Sequence, residues 1–176
     1  VPTTRHRAVL TALIALTAVL LAACSELTPT EIRQLEGDRI SLRPLLDPDA
    51  VAVPGTDTAD VIAALGEPEQ SEESTPPDDQ QPGTQTTMRY DGLEIVVREL
   101  RKPKRAFIST MTITSREYAI TVPVAVGSRR KDVEAVFGEP SESEGAEAAY
   151  DLTSDGDRCV VTYDGDRASR LAFTFN

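Results

Sequence analysis

One stretch of this 176-residue chain is written twice. Thr58-Ala-Asp-Val-Ile-Ala-Ala-Leu-Gly-Glu-Pro68 returns as Arg130-Lys-Asp-Val-Glu-Ala-Val-Phe-Gly-Glu-Pro140, with Asp60/Asp132, Val61/Val133, Leu65/Phe137, Gly66/Gly138 and Pro68/Pro140 in step. Val61, Ala64 and Leu65, and then Val133, Val136 and Phe137, fall at i, i+3 and i+4. That spacing predicts one apolar face of a short helix. Asp57 or Thr58 in the first copy and Ser128 in the second are placed to accept the orphan N–H groups of a first turn. The glycine can take the backbone conformation that ends a helix, and the proline two residues on forbids its continuation.

Strand-like runs follow each copy. After the first come Gln85–Tyr90, Leu93–Leu100 and Ala106–Thr114; after the second come Glu147–Leu152, Arg158–Tyr163 and Arg167–Phe175. Asp164-Gly165 is a pair favoured in tight hairpin turns. Tyr118–Val126 is a further extended segment leading into the second helix. Glu69–Thr84 carries Pro76, Pro77, Pro82 and several acids with hardly an apolar side chain, and is expected to be a mobile excursion because it buries too little to offset its ordering entropy. Upstream, Thr30–Leu35 is expected as a helical turn and Asp38–Arg43 as a lone strand. These readings divide the chain into 24–50 as a tether, 51–115 as a first repeat and 116–176 as a second.

Residues 1–23 read as an export signal. Arg5 and Arg7 precede Ala8–Leu21, an apolar run interrupted only by Thr11 and Thr17. The run is shorter than the ~20 residues of a spanning helix, and small residues follow it, as signal cleavage requires. Leu21-Ala22-Ala23-Cys24 resembles the lipobox of bacterial lipoproteins. The resemblance implies cleavage before Cys24, a diacylglyceryl group on its thiol, and stable anchoring by two or more acyl chains. The expected location is the cell envelope, lipid-anchored on an extracytoplasmic membrane face. Ser25 follows where an aspartate often signals inner-membrane retention, which leaves the outer membrane open.

Composition excludes several functions. The formal net charge is −11, and losing Arg5 and Arg7 makes the mature chain more acidic still. Bulk electrostatics therefore disfavours nucleic acid as a partner. The lone histidine, His6, lies in the signal, so no His-based triad or zinc site is expected in the mature chain. With Cys24 acylated, Cys159 is the remaining thiol. It sits in the alternating run Arg158-Cys-Val-Val-Thr-Tyr163, where a buried inert cysteine is the expectation.

The helix ending in Gly-x-Pro, the tyrosine-bearing strand and the meander, repeated in tandem over residues 51–176, resemble two families. One is the small outer-membrane lipoprotein of the β-barrel assembly machinery (SmpA/OmlA); the other is the β-lactamase inhibitor protein. The resemblance implies an α+β fold of two tandem repeats, each a short helix followed by an antiparallel three-stranded meander. Helices would lie on one face of the sheet, leaving the other free to meet a partner. The chain departs from the inhibitor family in having no tryptophan, eight aromatics and no cysteine pair.

Three constellations remain. Arg98, Arg101, Lys102, Lys104 and Arg105 put five positive charges in eight residues of an acidic chain. A solvated hairpin tip that deters edge pairing accounts for them; a partner-binding cluster for lipid headgroups, an anionic cell-wall polymer or an acidic protein is the functional reading. The reading gains if Arg129, Arg130 and Lys131, which oppose the dipole of the second helix, share a face with them. Asp151, Asp155, Asp157, Asp164 and Asp166 lack the spacing of a calcium loop and read as turn chemistry. Glu67 and Glu139 match because the sequence repeats, with no nucleophile or oxyanion device to complete a catalytic site. The expectation is a non-catalytic envelope lipoprotein, without metal or cofactor, whose folded module binds another envelope protein or a cell-wall component. The alternative is an inhibitor or immunity-type module against a secreted enzyme. A sheet face bearing Tyr90, Tyr118, Tyr150 or Tyr163 would mark protein recognition.

Overall fold

The structure, a computed structural model, describes residues 39–42, 45, 56–75 and 82–176. The expectations for the export signal, for Cys24 and for a turn at Thr30–Leu35 lie outside those residues. The chain divides into units 1–37 and 38–176, and every described residue belongs to the second.

The described elements run β1 (Ile40–Ser41), α1 (Thr58–Leu65), β2 (Gln70–Ser74), β3 (Gly83–Tyr90), β4 (Leu93–Arg101), β5 (Lys104–Ile113), β6 (Tyr118–Ala119), α2 (Arg130–Phe137), β7 (Glu142–Glu144), β8 (Glu147–Asp151), β9 (Arg158–Asp164) and β10 (Arg167–Thr174). Eight strands form one antiparallel sheet in the order β2-β3-β4-β5-β10-β9-β8-β7. β1 and β6 pair in parallel as a separate two-stranded ribbon.

This corrects the expected α+β fold of two helix-plus-three-strand repeats. The described chain is mostly β, with two eight-residue helices. β5 and β10 are hydrogen-bonded to one another, with Leu171 opposite Ile113 and Phe173 opposite Met111, so all eight strands belong to one sheet. Two of those strands were not expected. β2 (QSEES) and β7 (ESE) are exposed at every position and carry none of the apolar alternation by which a half-buried strand is recognised. They are the outer edges, where charge blunts pairing with other chains. β2 also places Gln70–Ser74, within the expected excursion, in the sheet.

Cross-strand register sorts the side chains into two faces, since residues opposite one another point the same way. Met88, Ile95, Met111, Phe173, Cys159 and Tyr150 form one row across six strands; Leu93, Ile113, Leu171, Val161 and Ala148 form the next. All of them are buried. Both helices cover this face. Thr58 donates from its hydroxyl to Glu99 of β4 (3.0 Å) and Tyr90 donates to the Gly66 carbonyl (3.1 Å) at the end of α1. At α2, the Phe137 ring lies 5.6 Å from that of Tyr150. Val61 and Val133, equivalent in the two copies, are fully buried in the same core.

The helix ends repeat and the starts do not. Gly66 and Gly138 both have φ of 85°, a region that side chains avoid, and their N–H groups close on Ile62 and Glu134 carbonyls. α1 begins with a capping box in which Asp57 and Asp60 each accept the other's N–H at 3.0 Å. α2 begins at Arg129 with no side-chain cap. Ser128, expected to cap it, instead accepts the Ala125 N–H at 3.0 Å.

The strand expected alone at 38–43 has a partner. Ile40 and Leu42 donate to the Glu117 and Ala119 carbonyls at 2.6 and 2.8 Å, and Leu42 is fully buried. Leu42→Ala is expected to cost about 2–5 kcal/mol in urea unfolding; a loss within a few tenths of that of a surface substitution would show that this segment lies outside the cooperative unit. Asp57→Ala is expected to cost about 1 kcal/mol by removing the cap of α1.

Candidate functional site: the uncovered sheet face and its charged ends

No described element covers the face of the sheet opposite the helices. Across it, register aligns Arg89, Glu94, Thr112, Ala172, Val160 and Ala149 in one row, and Thr87, Val96, Thr110, Thr174 and Arg158 in the next. Thr87, Thr110, Thr112, Val160 and Ala172 are small, uncharged and half-buried at the middle of these rows, whereas Val96 and Ala149 are buried. Ion pairs flank this middle. Arg89 bonds Glu94 at 2.8 Å and approaches Glu72 at 3.7 Å on one side, and Arg158 pairs with Glu142 on the other. Charge depletion at the centre with polar groups at the rim is the pattern of a recognition surface.

The basic cluster occupies one end of this sheet. Arg98 is half-buried on the uncovered face opposite Phe107; Arg101 and Lys104 pair in register at the tip of the β4–β5 hairpin; Lys102 lies in the turn and Arg105 caps the Phe107 ring at 4.8 Å. Arg101, Lys102, Lys104 and Arg105 are all exposed. Arg129, Arg130 and Lys131 do not join them. They stand by Arg167, at the start of β10, whereas the end of β10 runs toward the hairpin tip. The two positive clusters thus sit at opposite ends of the sheet.

The other sequence candidates are accounted for by local structure. Tyr90 bonds the end of α1, Tyr118 donates to the Asp91 carbonyl at 2.9 Å, and Tyr150 and Tyr163 share a buried hydroxyl bond of 2.8 Å. None of the four lies on the uncovered face, so the tyrosine signal for recognition belongs to the core. Burial and the Tyr150 partner push the Tyr163 hydroxyl well above its ordinary range, against the opposing pull of Arg130. Asp155 and Asp157 stand at one end of β9 and Asp164 and Asp166 at the other. Asp157 accepts the Asn176 N–H at 3.0 Å, which is turn and terminus chemistry. Glu67 and Glu139 are exposed beyond the helix ends. Cys159 is fully buried, and burial pushes its thiol up from 9.0 to about 12.

Sequence reasoning missed the row of small side chains. Thr110-Met-Thr-Ile-Thr114 and Ala172-Phe-Thr174 do alternate, but alternation alone does not say which face a helix will cover.

No protein-family model matches the chain, and no curated protein matches it. One solved structure is similar: the crystal structure of a candidate β-lactamase inhibitor protein from Streptococcus mutans, at 11% identity and a TM-score of 0.29, covering 85% of this chain and 98% of that one. The likeness is loose, and the reading of this chain rests on its own geometry.

The buried thiol generates a pH prediction. An acid whose proton is held more tightly in the folded state than in the unfolded one favours folding only while the unfolded chain also keeps that proton. Stability is therefore expected to fall as pH rises through about 9, where the unfolded Cys159 ionises and the folded one does not. Denaturant titrations of wild type and Cys159→Ala between pH 8 and about 11 check this, the alanine chain losing the earliest part of the decline. Peptide mapping after alkylation at pH 8 should find Cys159 unmodified in the folded chain and modified in guanidinium.

Proposed function

We propose that this chain is a non-catalytic lipoprotein, anchored in the cell envelope through Cys24, which docks another envelope protein on the uncovered face of its sheet. The observation that carries the reading is the centre of that face, where the half-buried Thr87, Thr110, Thr112, Val160 and Ala172 interrupt the surface of a strongly acidic chain with small uncharged side chains. A rigid hydrogen-bonded sheet presents such a surface with little ordering cost on association. The exposed hairpin charges Arg101, Lys102, Lys104 and Arg105 at its end supply an electrostatic complement to an acidic region of the same partner and speed encounter more than they add affinity. The lipobox supports the anchor independently of the fold.

Two experiments separate the parts of this reading. Cys24→Ala should move the chain from the membrane fraction to the soluble fraction; retention at the membrane would refute the lipid anchor. A photo-crosslinking side chain at Thr112 should capture a defined envelope protein in cells, while the same group at Glu134 on α2 should not. Thr112→Arg is expected to weaken that capture at least about tenfold by burying an unpaired charge, without loss of folding. Equal labelling from both positions would remove the sheet face from consideration. Capture of a secreted enzyme instead would favour the inhibitor-type alternative.

A further inference from the structure

At the start of α2 the chain gathers positive charge from three separate segments. Arg129 and Arg167 form an isolated antiparallel bridge, so two arginines stand directly opposite one another. Arg167 donates from Nη1 to the Gly127 carbonyl at 2.8 Å. The Arg116 guanidinium crowds the same residue: a Cβ at Gly127, where φ is +93°, would stand 2.7 Å from it. Arg130 follows, its guanidinium 4.2 Å above the Tyr163 ring, and then Lys131. Among the described residues, none of these five side chains has a carboxylate within 4.0 Å of its nitrogens, although Glu117, Asp132, Glu134, Asp164 and Asp166 are close in the chain or its pairings.

Such an arrangement opposes folding in two ways at once. Like charges directly opposite each other destabilise a pairing, and cations at a helix N-terminus oppose its dipole. The equivalent helix avoids both: α1 starts on the Asp57–Asp60 capping box. An acidic chain with many carboxylates in reach nonetheless leaves this cluster without one. The planar forks of Arg116 and Arg167, both held against Gly127, with Arg129 opposite Arg167, bring three guanidinium groups to one turn, a donor set suited to an oxyanion.

We propose that Arg116, Arg129 and Arg167, gathered at Gly127, form a binding site for a phosphate-bearing anion, either free phosphate or the phosphomonoester of a larger molecule. The site lies at the opposite end of the sheet from the basic hairpin and depends neither on the lipid anchor nor on the uncovered face.

The full chain in neutral detergent is melted in sodium phosphate and in sodium chloride of equal ionic strength. An anion that binds only the folded state should raise Tm by about 5–10 °C at a hundredfold excess over its dissociation constant. Arg129→Gln and Arg167→Gln should each weaken phosphate binding about tenfold. Each should also raise Tm in the absence of phosphate, because each relieves the like-charge apposition; a merely structural arginine would lower it. A short-chain phosphatidic acid distinguishes the sources. A larger rise than with inorganic phosphate assigns the site to a headgroup, and a rise with phosphate alone assigns it to the free ion. Equal stabilisation by chloride, or an undiminished phosphate response in the double variant, would overturn the proposal.

Discussion

The pairing of β5 with β10 is the contact on which the rest of the molecule depends. It joins a strand of the first half to the last strand of the second, through four opposed pairs from Leu171↔Ile113 to Thr174↔Thr110. Without it each half would end on an apolar strand with unpaired backbone groups, the exposed edge that invites aggregation. With it, Met111, Ile113, Leu171 and Phe173 become the middle of one buried layer, and the acidic β2 and β7 become the outer edges. Both helices then pack over that single layer.

What was legible in the sequence was local. The Asp-Val and Gly-Glu-Pro spacing located both helices and both stops, because a helix start, stripe and stop are written within a dozen residues. Six strands were visible from alternation. The β5–β10 seam was not, since long-range pairing has no local signal: Met111 and Phe173 are equally suited to any apolar partner. β2 and β7 were invisible for a different reason. As edges with no buried face they have only backbone pairing to define them, and Gln-Ser-Glu-Glu-Ser is a composition that reads as loop. Of the candidate site, the hairpin charges could be read directly, whereas the uncovered face could not, because its identity follows from where α1 and α2 settle. The tyrosines misled for the same reason: a ring with a polar tip suits an interface, but here each hydroxyl found a partner inside the fold.

Charge placement complements this layering. Glu72, Glu142 and Glu144 guard the edges, and two of them also hold Arg89 and Arg158 at the borders of the uncovered face. Among the described residues, clusters of positive charge without a carboxylate stand at the sheet's two ends, at Arg101–Arg105 and around Gly127. In a chain of net charge −11, positive groups left without carboxylates are placed against the average field of the molecule, and they are the positions at which an anionic partner would gain most.

The two halves carry the same helix with different beginnings, and that difference separates what folding requires from what it does not. Val61 and Val133 are both fully buried, and Gly66 and Gly138 share one backbone conformation, so stripe and stop are set by the core beneath them. The first residue of each helix is free to differ: Thr58 reaches Glu99 in one and Arg130 lies over the Tyr163 ring in the other. In α1 that freedom is used for a reciprocal acidic cap. In α2 the same positions carry Arg129, Arg130 and Lys131, and the cap is absent. A start costing about 1 kcal/mol in lost capping, and more in like-charge apposition with Arg167, persists only because the buried valine and the Phe137–Tyr150 contact hold the helix in place. The core of the second half thus supplies the stability that lets its helix start on charge instead of on a cap.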